Sequence, residues 1–251
     1  MPVLAFSTEK DVAGNGVYLL SFLPQSEVKR VVGYAVAQGH HQLAAMVPRN
    51  DYGEVVAGAF EDAVKAAGAT NVAIEKFTPN AGAVASPAQA VAKTNADAVM
   101  IAQGGTVLRA IAPSLAFDRA NKMQLLGTGL WLDSAVSREQ SLAGGWFAAP
   151  EPHAADAFNA KYKDAYGATP PQLASLAYDA ISLVALLAPG TPYHRFTQQA
   201  LMDPNGFAGV NGIFRFQPDG TSERGLAILE VTSDGFNVVN PAPKTFQAPV
   251  F

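Results

Sequence analysis

Three short segments hold the residues of this chain best suited to bind a ligand. The first is PRNDYG, residues 48–53. Its Asp51 is expected to cap the helix that follows, whose free N–H groups then face an anion or a polar ligand. Tyr52 can stack on a ligand or donate its hydroxyl. The same residues also suit a plain capped helix start, with Gly53 allowing tight packing. The second segment, Gln103-Gly104-Gly105-Thr106, is a strand-to-helix turn. Its glycines let the backbone approach a ligand closely, and Gln103 and Thr106 can hydrogen-bond; a simple tight turn is the alternative. The third is GTGLWLD, residues 127–133. A dinucleotide fingerprint would need a third glycine at 132, which is leucine, so nucleotide binding is excluded here. Trp131 reads either as an aromatic that covers a ligand or anchors a partner, or as a core residue.

Other chemistry finds little footing. The chain has no G-x-S-x-G, no H-E-x-x-H and no P-loop. Its histidines are His40, His41, His153 and His194. The first two follow a helix end, where a cation is favoured, and are expected to face solvent; adjacent histidines seldom point the same way, so they make a poor metal site. There is no cysteine, which excludes disulfides, thiolate catalysis and Cys-based zinc sites. The reading is therefore not an enzyme, with no cofactor and no metal. The net charge is −4 without a basic stripe, so no nucleic-acid partner is expected. No apolar run approaches the roughly 20 residues that span a bilayer, and MPVLAFSTEK lacks the basic start and apolar stretch of a secretory signal.

The elements that must position these segments follow from periodicity. With 251 residues, 49% of them hydrophobic, the chain can bury one large core or two smaller ones. Residues 3–6, 42–47, 71–76, 98–102, 124–127 and 144–148 read as short apolar strands, and 17–20 as an extended apolar stretch. Amphipathic stretches lie between them. One opens at Pro24 and buries Val28, Val31, Val32, Ala35 and Val36, with Gly39 closing it. Another carries Val55, Val56, Ala59, Phe60, Ala63, Val64 and Ala67 and ends at Gly68. Ser86-Pro87 predicts a third helix with Ser86 as cap. A fourth, Thr106–Phe117, holds Pro113, which should kink or split it. Helices at 153–166, 171–188 and 193–203 come next, and then strands at 213–216, 226–231 and 236–239 joined by tight turns. Strands alternating with helices imply a parallel sheet, whose ligands bind beyond the carboxyl ends of its strands. All three candidate segments follow such strands.

The order of pieces resembles the type I periplasmic binding proteins, the group that includes the leucine/isoleucine/valine-binding proteins of ABC transporters. The matching pieces are Asp51-Tyr52-Gly53, Gly104-Gly105, Gly127-Thr128-Gly129, Gly145-Trp146-Phe147, Leu176-Ala177-Tyr178-Asp179-Ala180 and the run from Gly212 to Gly220 (GIFRFQPDG). The resemblance implies an α/β fold of two lobes. One complete parallel-sheet lobe would comprise 14–147 plus 223–240. An incomplete lobe would comprise 1–13 plus 148–222, with 241–251 as an extended tail. The opening strand–helix units of that lobe would precede residue 1, so the chain is expected to be a fragment or an internal start. An incomplete lobe should expose a sheet edge and apolar helix faces.

By the same resemblance, the chain would be a periplasmic or extracytoplasmic receptor. It would capture a small polar ligand and deliver it to ABC permease subunits. The candidate ligand-binding set is Ser7, Thr8, Asp51, Tyr52, Gln103, Gly104, Thr106, Thr128 and Trp131. Amino-acid binders of this fold place a carboxylate in the loop at 127–133; Asp133 is near that position but displaced. Tyr18 and Tyr178, close to the expected crossovers, read as structural. The stretches Val12–Pro24, Gly127–Asp133 and Asp203–Phe216 also resemble penicillin-binding protein activators. That resemblance implies an envelope regulator with a penicillin-binding protein as partner.

Overall fold

The computed structural model describes residues 1–116, 123–190 and 194–247. In chain order the elements are β1 (Val3–Ala5), β2 (Val17–Leu19), α1 (Pro24–Ala37), β3 (Gln42–Pro48), α2 (Asp51–Ala66), β4 (Thr70–Phe77), α3 (Ala85–Ala92), β5 (Ala98–Ile101), α4 (Gly105–Ala116), β6 (Gln124–Gly127), α5 (Ser134–Ser137) and β7 (Trp146–Ala149). There follow α6 (Asp156–Tyr166), α7 (Gln172–Leu187), α8 (Gln198–Leu201), β8 (Phe207–Gly209), β9 (Gly212–Phe216), β10 (Ser222–Arg224), β11 (Ala227–Thr232) and β12 (Gly235–Asn240). The expected ends at Phe117 and at 193 lie outside the described residues.

The chain forms two compact units. One comprises Pro24–Ala149 and Ala227–Pro241 and holds a sheet of order β12-β11-β7-β6-β5-β3-β4. From β7 to β4 the strands run parallel; β11 and β12 complete the sheet in antiparallel fashion. The central strands are continuous apolar runs, Leu43–Val47 and Ala98–Ile101, with every residue buried, as expected of a sheet covered on both faces. α1 buries Val28, Val31, Val32 and Ala35, the stripe its periodicity predicts. Gly39 and Gly68, with φ of 97° and 70°, take the left-handed conformation after α1 and α2.

Two local readings need correction. Of the two outcomes expected at Pro113, the split does not occur: α4 runs on to Ala116. The carbonyl deprived of an N–H partner by the proline is that of Arg109, an exposed residue. Ser86 does not cap α3: a 3₁₀ turn over Ala81–Ala83, capped by Asn80, leads straight in, and Val84 occupies the cap position without a side-chain bond. Among the expected apolar positions of α2, Val55 is exposed.

The other unit comprises Met1–Leu23, Pro150–Leu226 and the segment from Ala242. Residues 14–23 and 223–226 therefore group here and not with the seven-stranded sheet as expected. The reason is strand pairing: β2 lies parallel to β1, and β10 pairs with β9. Within this unit β8, β9 and β10 form an antiparallel sheet. Its core gathers Tyr18, Leu20, Ala180, Leu183, Leu201, Phe207, Phe214 and Phe216. Tyr18 packs on Phe216 at 5.2 Å between ring centroids, whereas Tyr178 is exposed and meets Phe158.

Arg224 is buried, donates from Nε to the Ser21 carbonyl at 3.1 Å and lies over the Phe22 ring. Burial lowers its pKa to about 10, opposed by the nearby Asp179 charge. The tail is anchored at Ala242, whose N–H donates to Glu151, and at Phe246, which lies under Arg215; 248–251 lie outside the described residues. α7 buries Leu176, Ala180 and Leu183 but exposes Leu173, Ile181 and Leu186, so it is apolar on nearly every side.

Candidate functional site

The sheet order makes one crevice special. β3 connects to β4 in one direction, whereas β4 to β5 and onward runs in the other. Right-handed crossovers then put α2 and the later helices on opposite faces. The strand order reverses between β3 and β5, and ligands of open parallel sheets bind outside the carboxyl ends of strands at such a reversal. The segment 48–53 leaves β3, 103–106 leaves β5, and 127–133 leaves β6, which adjoins β5.

Side-chain bonds tie these segments together. The Tyr52 hydroxyl and Thr128 Oγ1 are 2.9 Å apart. The Trp131 indole N–H donates to the Gln103 carbonyl at 3.1 Å. Burial pushes the Tyr52 phenol well above its ordinary range, opposed by its bond to Thr128 and reinforced by the charge of Glu27, so Tyr52 stays neutral and can both donate and accept.

Several expected roles change. The cap of α2 is Asn50, whose side chain accepts from the Gly53 N–H at 2.9 Å. Asp51 lies in the first turn, exposed, where a carboxylate still favours the helix dipole. Gly53 is obligatory, because a β-carbon there would sit 1.8 Å from the Pro48 carbonyl oxygen. Gly104 admits the neighbouring loop: its β-carbon would lie 2.9 Å from the Leu130 carbonyl oxygen. Gly105 supplies a left-handed turn with φ of 61°.

Trp131 is fully buried. Its ring fills the space over Gly127, where an added β-carbon would come within 2.2 Å, and it also lies against Gly145. It is a core residue that fixes the loop, and its face is not open to a ligand. Thr128 is likewise buried. Gln103 is half-buried, Thr106 is exposed, and Leu130 and Leu132 are exposed on the third loop. Ser7 and Thr8 belong to the other unit, where the Ser7 hydroxyl accepts the Glu9 N–H at 3.0 Å and Thr8 is exposed.

Sequence reasoning missed Glu27. Its Oε2 accepts the Gly129 N–H at 2.9 Å. Burial raises its pKa to about 7 against the opposing effect of that bond. Glu27 sits in the first turn of α1, 102 residues from its partner, and no local pattern marks such a pair.

Polar groups thus converge where three adjacent parallel strands end. A family model described as periplasmic binding protein matches residues 1–236. The chain belongs to this family. Solved structures of similar fold come from the same kind of protein. One, from Rhodospirillum rubrum, is described as a branched-chain amino acid ABC transporter; at 20% identity it has a TM-score of 0.79, over 95% of this chain and 73% of its own. The leucine binding protein LivK of Thermotoga maritima shares 15% identity with a TM-score of 0.67, over 96% of this chain and 73% of its own. A solute binding protein of an ABC transporter from R. palustris, solved with benzoate, shares 16% identity with a TM-score of 0.67, over 96% of this chain and 69% of its own. No curated protein matches the chain. The fold of this binding protein is the expected type I α/β fold.

Proposed function

We propose that the chain is an extracytoplasmic solute receptor, not an enzyme, that presents a small ligand to the permease subunits of an ABC transporter. The observation that carries this reading is the tied set of loops after β3, β5 and β6 at the reversal of strand order. Tyr52, Gln103, Thr106 and the backbone around Gly104 supply polar contacts, and Asp51 lies in the same first turn of α2 as Tyr52. Thr128 and Trp131 hold the loops in place. Leu130 and Leu132 add exposed apolar surface beside these polar groups, which favours a ligand with both a polar head and an apolar part. Membership of the periplasmic binding protein family supports the same reading, as do the similar folds of a leucine binding protein and a benzoate complex.

Titration calorimetry with leucine and other amino acids, and with benzoate and other aromatic acids, tests it. One class should bind, and Gln103→Ala should weaken that binding at least tenfold while leaving the melting temperature unchanged. If neither class binds, the receptor reading falls and the penicillin-binding protein activator reading, which needs no ligand, takes its place.

A further inference from the structure

Glu27 does more than fill a place on α1. Its Oε2 accepts the Gly129 N–H, and its Oε1 lies so near Gly129 that a β-carbon there would come within 2.7 Å. The glycine lets the chain after β6 close down on this carboxyl. From that point the loop is continuous with two anchors: Thr128, bonded to Tyr52, and Trp131, bonded to Gln103. A change in the hold on Gly129 therefore acts on the segment that carries both.

Among the described residues, none forms an ion pair with Glu27. From α2, Tyr52 faces it as a neutral phenol, while Asp51 and Glu54 lie on the exposed first turn, Glu54 paired with Lys76. From the β6 loop, Asp133 is exposed and caps α5. β7 offers no titratable side chain, and Glu230 of β11 accepts from the Trp146 indole. On α1 itself Lys29 is exposed, and Arg30 bonds Asn240 and the Pro241 carbonyl. A half-buried carboxyl among neutral groups favours its neutral form, yet it accepts an N–H more strongly when ionised.

We propose that Glu27 is a positioning residue for the 127–133 loop and holds it through a proton-sensitive bond, firm as a carboxylate and slack as a carboxylic acid. The inference deepens the receptor reading by making its third loop responsive to pH, but the response itself needs no ligand. Burial brings the exchange close to neutrality.

The full chain carrying Trp146→Phe leaves Trp131 as the sole indole and removes the ring that meets His40 edge-on. Its Trp131 emission should shift with pH, with a midpoint within about one unit of 7. Glu27→Gln keeps an acceptor for Gly129 but cannot titrate, so in the same background the emission should be flat from pH 5.5 to 8.5. In the unaltered protein, the Gly129 amide proton shift should follow the same midpoint, and this serves even if the Gln variant fails to fold. A flat Gly129 shift, or a transition that persists in Glu27→Gln, overturns the proposal. Failure of every ligand to bind would instead remove the receptor reading and leave the loop titration standing.

Discussion

Gly53 shows how one hydrogen atom decides a loop. A methyl group there would overlap the Pro48 carbonyl, which belongs to a buried central strand and cannot yield. Gly53→Ala should therefore cost about 2–4 kcal/mol, read from urea unfolding midpoints at constant slope. Glu27 makes a second prediction, in stability and not in loop position. Its folded pKa, pushed up to about 7 by burial, exceeds the ordinary 4.5. Such a group adds stability that is complete below the unfolded value and is lost as pH rises through the folded one. Relative to Glu27→Gln, the wild type should lose on the order of 2 kcal/mol between pH 4.5 and 8, allowing for partial exposure. Chemical denaturation of both proteins at several pH values checks this, and equal slopes would contradict it.

The helix starts illustrate a competition between neighbours. Asn50 and Asp51 are both good capping types, and sequence alone favoured Asp51. In the structure Asn50 is extended, with φ −158° and ψ 176°, and its side chain reaches Gly53. Asn50→Ala should cost about 1 kcal/mol, whereas Asp51→Ala should cost only a few tenths through the helix dipole; thermal unfolding of the pair separates them. At α4 the apolar stripe continues past Pro113 through Leu115, and burial of Leu108, Ile111, Ala112 and Leu115 outweighs the missing hydrogen bond. At α3 the buried Val84 and the Asn80-capped turn displace Ser86 from the cap.

The two compact units differ in how well they cover their helices. In the seven-stranded unit, α1 and α2 bury one face each and turn polar faces outward. In the other unit α7 leaves Leu173, Ile181 and Leu186 at 59%, 70% and 64% exposure, and α6 buries no residue. Exposed apolar side chains on one helix favour association when they form a continuous patch. Ile181→Lys should change stability by less than about 0.5 kcal/mol while reducing light scattering of concentrated solutions. A substantial drop in melting temperature would show instead that Ile181 is packed.

Much of the parallel sheet and its helices was legible along the chain, because uninterrupted apolar runs such as Leu43–Val47 and stripes such as Val28–Ala35 reflect burial that each element carries locally. The same logic placed the three loops at strand ends. The unit boundaries were less legible: residues 17–19 and 222–224 look like any short strand, and only their partners, β1 and β9, decide which unit owns them. Trp131 could not be sorted between ligand and core from its type, since Gly127 and Gly145 make room for it across a strand. Glu27 left no mark at all, because its bond to Gly129 spans 102 positions and exists only once α1 and β6 are packed. Periodic burial is written in neighbouring residues; a site assembled from distant ones is written in the distances that folding creates.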